Sequence, residues 1–383
     1  MRFHVVAPPH TKTAMTHSGC VFTMKTLHFC QMMKSLGHTV IHYGVEGSEV
    51  ICDEHVQIMS KAEQEGFFGP DKPGITHEAD WTGTAPYWAL INDRAASKIN
   101  QRRLPGDFVC LIMGVLNQPL AKAIVGRDAL VVEYGCGYNG TFADYRVFES
   151  YAHMHKMLGA QSGFDPEGKF YDAVIPNYLN PNDYPLQQKK QDYYLYIGRL
   201  IQRKGVPIAV ETCKRLGAKL KLAGPGVSKV VGNKIYCTDG AVYEGDNLEY
   251  VGIVNGAEKA ALYGNAIATF VPTTYIEPFG AVVIESQMTG TPTITTDWGA
   301  FPEIVEHGKT GYRCHTLNEF VWAAKNVSSL NPMIIRNHAV ANYGMANVRY
   351  KYQHYFTMLS DLFNEGWYKI NLNQKNLNWL RKY

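Results

Sequence analysis

Several common patterns are missing from this chain, and each absence removes a class of function. Its eight cysteines stand singly, at Cys20, Cys30, Cys52, Cys110, Cys136, Cys213, Cys237 and Cys314, with no C-x-x-C pair. Scattered thiols argue against a zinc site and for buried free thiols in a reducing compartment. No apolar run reaches the roughly 18 residues that would suggest a bilayer span. The opening Met1–Ala7 is too short, and too soon followed by Pro8-Pro9, for a signal peptide; it reads as a first strand. Together these features predict a cytoplasmic protein. Charge of either sign is in small excess, since the formal net charge is +3. Its distribution is uneven: 15 Lys+Arg against 19 Asp+Glu up to Gln187, then 22 against 15. A basic second half suits a domain that binds an anionic ligand, and equally a surface for anionic polymer or membrane.

A chain of 383 residues predicts two or three domains. Arg2–Ala7, Thr39–Tyr43, Phe108–Met113, Leu130–Glu133 and Ala173–Pro176 read as strands, with helices over Cys20–Leu36 and Arg94–Arg103. Asn177-Tyr-Leu-Asn-Pro-Asn-Asp-Tyr-Pro185 then reads as a linker. Alternation restarts with strands at Tyr193–Ile197, Ala218–Leu222, Leu248–Val251 and Thr293–Thr295, and with helices at Val206–Leu216 and Ala257–Tyr263. Two α/β halves, residues 1–185 and 186–345, place a ligand between them, outside the carboxyl ends of parallel strands.

One stretch organises the second half. Ile267–Val271 is short, apolar and strand-like; Glu277-Pro-Phe-Gly280 turns the chain; Phe279–Thr289 reads as a helix stopped by Gly290. A strand feeding a turn and a helix N-terminus is a geometry that holds phosphate, because free N–H groups and the helix dipole face the anion. Were Glu277 and Glu285 on one helix, they would lie roughly 12 Å apart and point in different directions. With Glu277 in the turn instead, the two carboxylates flank the phosphate position, as a nucleotide-sugar requires. A second cluster, Gly198-Arg199-Leu-Ile-Gln-Arg-Lys204-Gly205, follows a strand and projects two cations suited to phosphate oxygens.

The form E-P-F-G-x-x-x-x-E at 277–285 resembles the family-4 retaining glycosyltransferases of the GT-B fold, two Rossmann-like domains whose parallel sheets face each other across a cleft. The G-R-L-x-x-x-K-G segment at 198–205 is similar too, as are Leu222-Ala-Gly224-Pro-Gly226, Tyr250-Val-Gly252-Ile-Val254, Asp297–Glu303 and Gly308–Gly311. The resemblance covers nearly all of residues 175–315. It implies that Glu277 binds the donor sugar and that Arg199 and Lys204 neutralise the departing diphosphate. Glu285 would hold the ribose, and Gly198, Val254, Pro278, Phe279 and Gly280 would line the donor site. It also implies that the last segment, 346–383, crosses back onto the first domain through Tyr350–Trp367. The co-substrate is then a nucleoside diphosphate sugar and the acceptor a hydroxyl of a glycan, lipid-linked glycan, protein or modified base. No Asp-x-Asp occurs in the chain; sugar transferases that hold diphosphate through a divalent ion usually carry that pair, so metal-independent chemistry is expected.

The first half matches less densely. Ser18 and Gly19 stand where the family often has a glycine pair, and Glu133-Tyr134-Gly135 stands where many members carry a histidine. Glu133 is a candidate substitute, and an unmatched strand-end carboxylate is the other reading. Gly135-Cys-Gly137-Tyr-Asn-Gly140 has the spacing of a dinucleotide fingerprint, but it falls mid-domain and is followed by the aromatic, polar Phe142–Phe148. A glycine loop shaping the acceptor pocket through Tyr138, Asn139 and Arg146 is the better account. His153 and His155, two apart, diverge on a helix and do not chelate. The rival functions are a nucleotide-sugar epimerase on the same fold, and a scaffold that binds sugar-nucleotides without turnover.

Overall fold

A computed structural model describes residues 1–71, 77–124, 129–162 and 171–365. The first half runs β1 (Arg2–Val6), α1 (Val21–Ser35), β2 (Thr39–Val45), β3 (Glu54–Met59), α2 (Lys61–Phe68) and α3 (Pro86–Asn100). It continues with β4 (Phe108–Leu111), α4 (Gln118–Ala123), β5 (Leu130–Cys136), β6 (Tyr145–Phe148), α5 (Tyr151–Ser162) and β7 (Ala173–Val174). Its strands form one sheet in the order β3-β2-β1-β4-β5-β6-β7, every pair parallel. Helices cover both faces, so the central strands are buried along nearly their whole length rather than alternating; all four residues of β4 are buried.

The second half runs β8 (Tyr194–Ile197), α6 (Val206–Leu216), β9 (Leu220–Ala223), β10 (Val227–Val231), β11 (Lys234–Cys237), β12 (Val242–Glu244), β13 (Leu248–Tyr250) and α7 (Gly256–Asn265). Then come β14 (Thr269–Val271), α8 (Ala281–Met288), β15 (Thr293–Thr296), α9 (Phe301–Ile304), β16 (Gly311–Cys314), α10 (Leu317–Asn326), α11 (Pro332–Tyr343) and α12 (Met345–Glu365). A parallel six-stranded sheet has the order β13-β9-β8-β14-β15-β16. Two parallel α/β sheets are thus present, as the alternation predicts.

The structure differs from the sequence reading in the following places. Residues 227–244, left unassigned there, form a separate antiparallel sheet β10-β11-β12. Val231 pairs with Lys234 across Gly232-Asn233, a two-residue turn that the glycine permits at φ 59°. Helix α3 begins at Pro86, well before Arg94, because proline at the first helical position needs no N–H partner. The 177–185 linker is packed rather than loose: Tyr178 and Leu179 are buried. Leu179 N donates to Tyr343 O and Met345 N to Leu179 O, both at 3.0 Å, which fastens the crossing to the joint between α11 and α12.

Helix α12 belongs to the core of the first half. Phe356 lies edge-on to Phe3 (4.8 Å) and Phe108 (4.9 Å), and the Tyr352 hydroxyl donates to Tyr134 O at 2.7 Å. Tyr352, Tyr355 and Phe356 are thus part of that core; Trp367, the far end of the expected crossing, lies outside the described residues. Among the described residues no helix is long and apolar enough to cross a membrane.

Candidate active site

The carboxyl ends of β8 and β14 bring the two motifs of the second half together. After β8, residues 198–204 loop out, and the Lys204 ammonium reaches Glu277 Oε2 at 2.6 Å. The same ammonium lies 4.9 Å from the Tyr275 ring centroid, with the Arg203 guanidinium at 5.2 Å. Burial and the neighbouring Glu277 carboxylate push the Tyr275 hydroxyl well above its usual range, so it stays neutral. Arg199 is exposed at the same loop, its carbonyl accepting from Tyr196 at 2.9 Å.

Glycines let this loop system close. A Cβ on Gly224 would stand 2.2 Å from the Gly198 carbonyl, so β8 and β9 can end side by side only with glycine there. Gly280 takes φ +88° at the start of α8, where a Cβ would meet the Phe301 ring at 2.8 Å. The helix therefore begins at Ala281, two residues later than the sequence reading placed it. Phe279 is buried, edge-on to Tyr343 at 5.9 Å, so only its backbone is left for the cleft side.

Glu285 lies one turn into α8 and is buried. Tyr184 Oη (3.1 Å) and Lys259 Nζ (2.7 Å) donate to its Oε1, and Tyr263 Oη (2.7 Å) to its Oε2. It lines a cavity of about 510 Å³ between the halves, together with Ser18, Lys25, Tyr184, Lys259 and Ala281. That cavity holds Glu285 and the mouth of α8 but does not extend to Glu277, so it is the hinge end of the cleft. Val254 is buried beside the ends of β8 and β9, and exposed Gly19 follows Ser18 between β1 and α1.

Glu133, Tyr134 and Arg146, in contrast to Ser18 and Gly19, are buried. Glu133 is fully buried, and its oxygens accept from Phe142 N and Ala143 N at 2.8 Å and from Tyr138 Oη at 3.1 Å. Burial pushes its pKa up against those bonds. It braces the glycine loop and does not face the cleft. Tyr134, one residue on, points to the other face of β5, where it bonds Thr26 at 3.0 Å and lies 4.4 Å from Phe29. Arg146 is buried in a paired contact with Asp172 at 2.8 and 2.5 Å. Tyr138 is committed to Glu133. Asn139 takes a contact from Lys156 at 3.3 Å.

What the first half does bring to the cleft was not singled out from sequence. Lys25, on α1, is buried against the Glu149 carboxylate and donates to Gly135 O at 3.3 Å; Gly135 is the penultimate residue of β5, in the stretch where the resemblance implies a histidine. Ser150 Oγ donates to Pro278 O at 2.6 Å, and both Glu303 oxygens accept from the first amides of α5, Tyr151 N and Ala152 N, at 2.8 Å. Nothing local marks Ser150. Lys259 and Tyr263, four apart on α7, carried a legible signal, since that spacing puts both on one helix face.

Two Rossmann-like parallel sheets with a site between the carboxyl ends of their strands define the GT-B fold. Over residues 183–335 the chain matches the family model described as Glycosyl transferases group 1, a span that takes in Gly198 through Glu303. It is 28% identical over 185 residues to the uncharacterized glycosyltransferase MJ1607 of Methanocaldococcus jannaschii, covering 43% of this chain and 46% of that one. The chain thus spans less than half of that relative's length. Among solved structures, AviGT4, a glycosyltransferase involved in avilamycin A biosynthesis, superposes with a TM-score of 0.65 at 17% identity, covering 94% of this chain and 98% of that one. Anabaena HepE, solved in complex with UDP and glucose, superposes with a TM-score of 0.62 at 13% identity, covering 94% of this chain and 100% of that one.

Proposed function

We propose that this protein is a retaining glycosyltransferase that moves a sugar from a nucleoside diphosphate donor to an acceptor hydroxyl without a metal ion. The observation that carries this reading is the 2.6 Å contact between Lys204 and Glu277 at the mouth of α8. A cation, a carboxylate and a helix N-terminus meet at one point, which is what a sugar diphosphate needs. The diphosphate lies against Lys204, Arg199 and the first turn of α8. The sugar hydroxyls bond Glu277, and the ribose reaches Glu285, whose three donors hold its carboxylate in one orientation. HepE, bound to UDP and glucose, supports a nucleotide-sugar donor.

In the reaction, the bond between the anomeric carbon and the diphosphate oxygen breaks as the acceptor oxygen approaches the same face. The acceptor proton passes to the departing phosphate oxygen, so no side-chain base is required. The protein's task is to stabilise charge on that oxygen, and removing one preorganised donor typically slows such steps by about 10²–10³-fold. Lys204 and Arg199 supply positive charge where other transferases use a divalent ion. The test is release of nucleoside diphosphate from a panel of sugar nucleotides, with and without chelator. Chelator-insensitive turnover, lost in Lys204→Ala, is expected. Binding of a sugar nucleotide without turnover or hydrolysis would instead favour the scaffold reading.

A further inference from the structure

The site has a direction. Along the second sheet, α7 with Lys259 and Tyr263 marks the nucleoside end, next to Glu285. The β8 and β14 loops, with Lys204 and Glu277, come next. Beyond them is the turn after β15, where a Cβ on Gly299 would stand 2.8 Å from Glu277 N and where Ala300 N donates to Glu277 O at 3.3 Å. The order β8-β14-β15-β16 then leads outward to the sheet edge. A ligand that continues past the donor sugar in this direction runs over Trp298, half-exposed at 51%, and onto the carboxyl end of β16.

There a separate cavity of about 450 Å³ opens, lined by Asp297, Tyr312, Arg313, His315, Glu319 and Trp322 among others. Trp322, 54% exposed, stands edge-on to Tyr312 with ring centroids 5.2 Å apart. Arg313 Nη1 donates to Asp297 Oδ1 at 3.1 Å, while its buried Nε has no hydrogen-bond partner among the described residues. His315 lies 3.8 Å from Asp297 and 3.7 Å from Glu319. The two carboxylates offset the cations, so the cavity does not select for a phosphate-rich ligand. An exposed indole ring, Trp322, beside a fixed carboxylate–guanidinium pair suits a molecule with apolar C–H faces and a rim of hydroxyls. That description is a sugar chain.

We propose that this edge cavity, with Trp298 as its approach, binds the non-reacting units of an oligosaccharide acceptor. The inference rests on the transferase reading and narrows the acceptor to a glycan at least several units long. Trp322 covers the flat face of one unit, and Asp297 and Arg313 bond its hydroxyls.

The full chain, with UDP present, is titrated with malto-, cello- and manno-oligosaccharides of two to six units by calorimetry and tryptophan emission. Sodium tripolyphosphate serves as the anionic control, and donor hydrolysis without acceptor is followed in parallel. At least one series is expected to bind about tenfold more tightly at four units than at two. Trp322→Ala and Asp297→Asn should each remove that gain, Trp322→Phe should keep most of it, and UDP affinity should stay within about twofold in all three. The subsite is overturned if no series binds, if the length dependence survives in Trp322→Ala, or if tripolyphosphate binds more tightly than any sugar. Intact donor hydrolysis with such a result sinks the subsite alone. Absent hydrolysis with oligosaccharide binding intact sinks the transferase reading instead.

Discussion

Glu277 and Glu285 are both carboxylates beside a lysine, yet their surroundings differ. Glu277 has one strong partner, Lys204, and is partly open; Glu285 is buried under three donors. Glu277→Ala should therefore abolish transfer while leaving nucleoside diphosphate affinity within about threefold, read by calorimetry beside a turnover assay. Glu285→Ala strands the Lys259 ammonium and two tyrosine hydroxyls, and a fall of about 2–3 kcal/mol in unfolding free energy is expected along with weaker nucleotide binding. Equal behaviour of the two variants would refute the division of labour. The buried Lys25–Glu149 pair carries a sharper cost. Lys25→Met leaves a carboxylate without its cation in the interior and should destabilise the fold by about 3 kcal/mol, measured by denaturant unfolding; the double variant with Glu149→Leu should recover much of that. The second-half residues were legible because their chemistry is packed into short motifs. Glu133, Tyr134 and Arg146 misled because a strand end alternates its side chains, and sequence spacing does not say which face meets the cleft.

Among the elements, α2 illustrates a local rule that the tertiary structure reuses. Ser60 Oγ accepts from Glu63 N at 3.2 Å, and the Glu63 carboxylate accepts from Ser60 N at 2.8 Å, a reciprocal cap. The same carboxylate takes a double contact from Arg94 on α3, at 2.9 and 2.8 Å. Hydrogen bonds from Arg94, and next from Ser60, hold Glu63 down at about 2. A lowered folded-state pKa stabilises the protein above the unfolded value near 4.5, and that contribution fades as pH falls toward 2. Glu63→Gln should accordingly lower stability above about pH 5 and flatten the acid limb of a stability–pH curve, the two proteins converging as pH falls toward about 2. The S-x-x-E pattern at Ser60–Glu63 is legible as a cap, but no apolar period between Glu46 and Asp80 marks the helix it opens. The antiparallel β10–β12 sheet escaped for the opposite reason: Gly232-Asn233 is a hairpin signal, yet strands whose outward residues are exposed on a surface flap lack a clean alternation. The parallel strands at the centres of the two large sheets, buried along nearly their whole length, are easier to read.

At the scale of the molecule, the described residues hold the halves together through the packed crossing 177–185, the return of α12, and the contact of α5 with the second half. Glu303 caps the first amides of α5 from across the cleft, and Ser150 bonds the carbonyl of Pro278 beside Glu277. Partners more than 120 residues apart leave no trace in local pattern, which is why this contact could not be read beforehand. Glu303→Ala should loosen closure: the radius of gyration in the presence of UDP, from small-angle scattering, should exceed that of wild type, and turnover should fall more than nucleotide affinity. An unchanged scattering profile would show that closure does not depend on this cap. The position of α12 reaches beyond the finished protein. Phe3 leaves the ribosome more than 350 residues before Phe356, yet each is the other's neighbour. The emerging chain must therefore hold an oily, half-roofed sheet open to solvent until α12 has been made, and in that interval its hold on solubility falls to chaperones.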